Sequence, residues 1–251
     1  MTSIKRCFIA ELRKYYLEAK CYYPDHIVSL FVLFIMFVGF FRMFSSPAER
    51  PNSTYYIGFV YWYYANGIIG ESSMAISSEK QSGTFEQLLI KPSGLSSILF
   101  YRSTCWLIFQ TIEITLVMLA IHFLLSIPMS FSLLMLPVFI ITMLGLVGIS
   151  YFLSALTLVF TKTASFTTIA GYLLLFFSGI VNGKADQGFA YNFLPLSQGI
   201  NISRAILEGS VISAFDISLL VINAFAYLFV GLLAFQIVMR YGRKKGISME
   251  Y

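Results

Sequence analysis

Long apolar blocks separated by short polar joins dominate this chain. Six apolar runs lie at approximately 25–44, 54–76, 99–125, 131–160, 164–182 and 216–239. Each is close to or above the ~20 residues a helix needs to cross a ~30 Å hydrocarbon core. The joins are 45–53, 77–98, 126–130, 161–163 and 183–215. The third and fourth runs are long enough to be tilted or broken, and Pro128 and Pro137 predict irregular backbone near the join between them. Ahead of the first run, residues 3–20 place Ile4, Phe8, Leu12 and Tyr15/Tyr16 on one stripe. Lys5, Arg6, Arg13, Lys14 and Lys20 fill the other face, which predicts a helix lying in the membrane surface.

Composition agrees with the blocks. The 251 residues are 58% hydrophobic and 12% charged, with a mean hydropathy of +0.78. A soluble domain would be about one quarter charged. The fold class expected is an all-α membrane protein, one polytopic domain over 1–251. No polar stretch is long enough to enclose a core of its own. Cys7, Cys21 and Cys105 are odd in number and suggest no disulfide framework. The charged, mixed first twenty residues do not read as a cleavable signal peptide.

The net charge of +5 reads as membrane topology, with no nucleic-acid partner. With both termini in the cytosol, thirteen of the seventeen Lys and Arg fall inside: Lys5, Arg6, Arg13, Lys14, Lys20, Lys80, Lys91, Arg102, Lys162, Arg240, Arg243, Lys244 and Lys245. Arg42, Arg50, Lys184 and Arg204 fall outside. This bias predicts six spans, with 77–98 cytosolic and 183–215 external. Within the outer segment, "NISRAILEG" predicts a short amphipathic helix with Ile202, Ile206 and Leu207 on one side, ending near Gly209.

The cytosolic join holds "SGTFEQLLIKP". Thr84 and Gln87 have capping-box spacing, Glu86 suits the first turn, and Phe85, Leu88 and Leu89 share a face. Pro92 stops the helix, giving a short element at 84–91. Such a helix either rests on the lipid surface or plugs a groove on a cytosolic partner.

The stretch "EKQSGTFEQLLIKPSG" resembles the E-K-E-x-G-T-x-E-Q-L-L signature of type 2 ABC-exporter permeases. The matching positions are Glu79, Lys80, Gly83, Thr84, Glu86, Gln87, Leu88, Leu89 and Pro92, with Gln81 in place of the second acidic residue. The resemblance extends to the layout: an interfacial N-terminal helix, six spans and a large outer segment between the last two. "NFLPLSQGINISRAILEG" is similar to the family's outer segment. The resemblance implies that 84–91 is a coupling helix docking in a separate ATP-binding subunit, with Glu79, Gly83, Thr84, Phe85, Glu86, Gln87, Leu88, Leu89 and Pro92 forming the docking segment. It further implies two such ATPases, a second permease half (a homodimer is expected), and a second and fifth span that line the substrate path.

This chain has no P-loop. "GIVNGKA", Gly179–Ala185, has the wrong spacing. It is therefore expected to be a permease and not an enzyme, binding no cofactor itself, with ATP and Mg in the partner. Candidate pathway residues are Tyr61, Trp62, Tyr63, Tyr64, Glu71, Glu113, Phe176 and Phe177. The aromatics either pack on neighbours or line a cavity. A carboxylate at Glu71 or Glu113 needs a polar interior or a proton. For Glu113, with Gln110 one turn before it, a structural or cavity-lining role ranks above proton coupling. Gly145, Gly148, Ser150 and Ser154, and Ala164, Ala170 and Gly171, are candidates for close helix contact within or between subunits. The function expected is ATP-driven export of an amphiphilic or hydrophobic substrate across a bacterial plasma membrane, in contact with lipid. The alternatives are a proton- or ion-coupled exporter using Glu113 and a non-pumping immunity or scaffold protein.

Overall fold

A computed structural model describes residues 2–44, 54–91, 94–125, 131–160, 164–178 and 192–245. Among the described residues there are nine helices and no strand: α1 Thr2–Cys21, α2 Tyr23–Phe44, α3 Thr54–Gln81, α4 Phe85–Ile90, α5 Leu95–Leu125, α6 Met135–Val159, α7 Ala164–Phe177, α8 Pro195–Glu208 and α9 Ala214–Lys245. The chain is all-helical, and each apolar run carries a helix.

Several ends differ from the hydropathy pattern. Helix α3 continues past 76 to Gln81, because Glu79 and Lys80 find partners that keep polar residues helical. Helix α5 is unbroken for 31 residues. Pro137 lies in the first turn of α6, where its missing N–H costs no intrahelical bond. Pro128 lies outside the described residues, as do Arg50, Lys162, Lys184 and 183–191 of the outer segment. Helix α8 starts at Pro195, earlier than "NISRAILEG" indicated, and ends as expected at Gly209, whose φ is 67°.

Among the described residues three helices are long and apolar enough to cross a bilayer, over Leu95–Leu124, Met135–Val159 and Ala214–Gly242. Helices α1 and α2 meet at 85° and satisfy that criterion only as a bent pair, while α7 is apolar but shorter. Helix α3 falls outside the criterion because its Tyr, Ser, Asn and Glu residues lower its hydropathy, and its environment is largely protein. Ala65, Ile68, Ile69, Ser72, Ser73 and Ile76 are all buried in it. A helix surrounded by other helices can carry polar residues that a lipid-facing one cannot.

Helix α6 is the axis of the bundle, packed by α9, α3 and α8. It approaches α9 closely at Gly148, where an added Cβ would collide with backbone atoms of Tyr227. Ser150 donates to the Ile68 carbonyl of α3 at 2.9 Å. At Gly171 of α7, a Cβ would strike Asn66 of α3. These small residues therefore make contacts within one chain. Helix α1 lies on α5, through the edge contact of Phe8 with Tyr101 and the stacking of Tyr15 on Phe109.

Candidate functional site: helix α4 and its mount

Gly83 has φ 68°, which an L side chain rarely adopts. It closes α3 in a Schellman turn: Gly83 N–H donates to the Lys80 carbonyl at 3.1 Å and Thr84 N–H to the Glu79 carbonyl at 3.0 Å. Only three residues, Ser82, Gly83 and Thr84, separate α3 from α4. The capping box expected from Thr84 and Gln87 does not form. Thr84 makes no side-chain cap. Its hydroxyl instead donates to Glu79 Oε2 at 2.5 Å, a charge-assisted bond stronger than a neutral cap.

Glu79 in turn accepts Arg102 Nη2 at 2.8 Å through its other oxygen. The Arg102 side chain is only 6% exposed, and its Nε lies 3.4 Å from Glu11 Oε2 of α1. One guanidinium therefore sits between carboxylates of α1 and α3. Burial works to raise the Glu79 carboxyl, but the bonds from Arg102 and Thr84, with the Arg102 charge, outweigh it and hold the group below the usual carboxylate range.

Lys80 turns the other way. Its Nζ donates to the carbonyls of Thr157 at 3.0 Å and Leu158 at 2.8 Å, at the C-terminal end of α6. There the orphan carbonyls and the helix dipole favour a cation. The same ammonium lies 5.7 Å from the Phe85 ring centre. Burial pushes it below the ordinary lysine range.

The face expected to meet a partner is turned inward. Phe85 and Leu88 are buried in the chain's own core, and Leu89 is half-buried. Periodicity showed that these residues share a face; it could not show that the core, and not a partner's groove, covers it. What α4 presents outward is Glu86, Gln87 and Ile90, the last 81% exposed. Pro92 lies outside the described residues.

The candidate pathway residues are mostly packed. Tyr61, Trp62 and Tyr64 are buried. Tyr61 pairs its hydroxyl with Ser203 of α8 at 2.7 Å, Trp62 Nε1 donates to the Gly171 carbonyl at 3.0 Å, and Tyr64 donates to Thr111 at 2.9 Å. Half-buried Tyr63 accepts from Gln110. Within this chain the buried members of the cluster pack between helices with their polar tips satisfied. Tyr15 of α1 donates to Glu71. Glu113 meets His26 Nδ1 at 2.7 Å through one oxygen and Gln110 at 3.2 Å through the other, tying α5 to the start of α2. Phe176 and Phe177 both lie exposed on α7.

A family model described as ABC-2 type transporter matches residues 2–208. The chain belongs to the ABC-2 type transporter family. It is the multi-pass membrane subunit of an ABC transporter, a permease whose family implies an ATP-binding partner subunit. Comparison with curated proteins gives no match, and neither does comparison with solved structures.

Within this ABC-2 permease, the residues that sequence reasoning missed are Glu11, Arg102 as a buried hub, and His26. The charge count reads Arg102 only as a cytosolic cation. Its place about two turns inside the apolar helix α5 is the available signal, since a buried charge needs a partner. Among the described residues no group of three or more His, Cys, Asp or Glu could hold a metal ion.

Proposed function

We propose that this permease is half of an ABC exporter, joined by a second copy and by two ATP-binding subunits, and that it moves an amphiphilic or hydrophobic substrate out of the cytoplasm. Helices α2, α3, α5, α6, α7 and α9 are the six spans, α1 lies on the inner leaflet, and both termini are cytosolic. Helix α8 belongs to an outer cap. Helix α4 is the coupling helix. The observation that carries this reading is the mount of α4. A six-residue helix has little stability of its own, yet Gly83, Thr84, Glu79, Lys80, Phe85 and Leu88 fix it to α3, α5 and α6. A rigidly held helix with Glu86, Gln87 and Ile90 outward suits transmission of force from a partner.

The exposed apolar residues Phe166, Ile169, Leu173 and Phe176 run along α7 at helical spacing. They support placing the second copy there, with Phe176 and Phe177 near the outer end of the path. Glu113 is a tie between helices and not a proton carrier, a reading supported by the engagement of both its oxygens. Purification from native membranes tests the whole. Retention of an ATPase subunit, with transport abolished by ATP depletion and insensitive to a proton uncoupler, is expected. Uncoupler-sensitive transport at maintained ATP would overturn it.

A further inference from the structure

The signature accounts for Glu79 and Thr84, but not for what the other side of Arg102 holds. We propose that Arg102 is a positioning residue through which displacement of α4 is passed to the interfacial helix α1. This rests on α4 being the coupling helix.

The path is continuous in side chains. Thr84, where α4 begins, donates to Glu79. Glu79 accepts Arg102. Arg102 faces Glu11 of α1. Glu11 and Arg102 are both buried, so water cannot replace a partner that moves away. A guanidinium is planar and presents its donors in a fixed fork. The same rigid group therefore holds Glu79 by Nη2 and faces Glu11 by Nε, and a shift of Glu79 that keeps its bond must turn the fork against Glu11. Thr84 spends its hydroxyl on this chain and not on a cap, so the start of α4 follows Glu79.

Helix α1 has a second polar tie, Tyr15 to Glu71. Glu71 lies two turns up α3 from Glu79, and among the described residues no hydrogen bond joins the Tyr15–Glu71 pair to Thr84. The Arg102 charge reaches both Tyr15 and Glu71, so Glu11→Gln and Tyr15→Phe, which leave Arg102 in place, are the variants that separate the two ties: Glu11 carries the motion, while Tyr15 anchors.

The test needs no knowledge of the substrate. Backbone hydrogen exchange is compared between nucleotide-free and ATP–vanadate-trapped complex, permease with its ATPase subunit. In the wild type, trapping is expected to change exchange in peptides covering 84–91 and in those covering 6–13. Arg102→Gln and Glu11→Gln should keep the change at 84–91 and lose it at 6–13. Arg102→Lys, with one ammonium for two carboxylates, should behave like them, while Tyr15→Phe should keep both changes. If Arg102→Gln does not assemble, Glu11→Gln decides alone, since it leaves the Arg102–Glu79 bond in place. A change at 6–13 that survives in Glu11→Gln or Arg102→Lys, or one absent from the wild type while 84–91 responds, overturns the relay. No response at 84–91 in a trapped wild-type complex overturns the coupling-helix reading instead.

Discussion

Lys80→Met removes one buried charge and keeps the volume of the side chain. In the structure that ammonium makes two hydrogen bonds to the end of α6 and lies over Phe85. A hydrogen bond from a charged group contributes ~1.5–3 kcal/mol. A cation at a helix C-terminus adds ~0.3–1 kcal/mol, and a ring contact ~0.5–1 kcal/mol. One ammonium makes all of these contacts, so the contributions overlap. The variant also recovers the cost of burying the charge, which is what lowers the Lys80 pKa. The remainder is a loss of roughly 2–4 kcal/mol, part of it the Thr157 and Leu158 carbonyls left with fewer partners. At about 2–4 °C per kcal/mol for a chain of this size, the detergent-solubilised permease should melt roughly 5–10 °C lower. Lys91→Met, at an exposed position, should stay within about 0.5 kcal/mol of the wild type. Equal melting temperatures for the two variants would refute the claim that Lys80 pins the mount to α6.

Leu88→Ala should cost ~2–5 kcal/mol in stability, as expected for truncation at a buried core position, whereas Ile90→Asp should leave melting unchanged and abolish capture of the ATPase subunit. Loss of stability in Ile90→Asp would contradict the assignment of faces. Gly148→Ala should destabilise by ~1–3 kcal/mol, because its Cβ meets Tyr227 backbone that cannot rotate away; a neutral thermal shift would count against the α6–α9 contact. Glu79 has a lowered folded pKa, so its stabilisation is complete above the ordinary carboxylate value of about 4.3 and is lost as pH falls through the lower folded value. The melting difference between wild type and Glu79→Gln should therefore be constant at neutral pH and shrink only below about pH 4. A difference that varies between pH 6 and 8 would exclude that cause.

Helix positions were legible because lipid and protein both reward long apolar segments, and the pattern registers them directly. Three features were not legible for one reason. The polar tail of α3, the inward face of α4 and the early start of α8 depend on partners distant in sequence. Thr84 shows the limit most clearly. Its spacing to Gln87 satisfies a local rule, yet Glu79, placed by the Gly83 turn and charged by its pairing with Arg102, competes and wins. The aromatic run at Tyr61–Tyr64 could be read either way, because packing and cavity lining ask for the same residues. The hydroxyl partners Ser203 and Thr111 lie far away in sequence and carry no local signal. His26 gave no signal, since a single imidazole near a helix start becomes meaningful only once Glu113 is placed beside it.

Photocrosslinking in native membranes tests the central claim most directly, with the reactive side chain placed at Ile90 in one variant and at Leu88 in another. A crosslink from position 90 to an ATP-binding subunit, and none from position 88, is the predicted result. Capture of that subunit from position 88 with equal yield, or capture from neither position of any ATPase, would contradict the account.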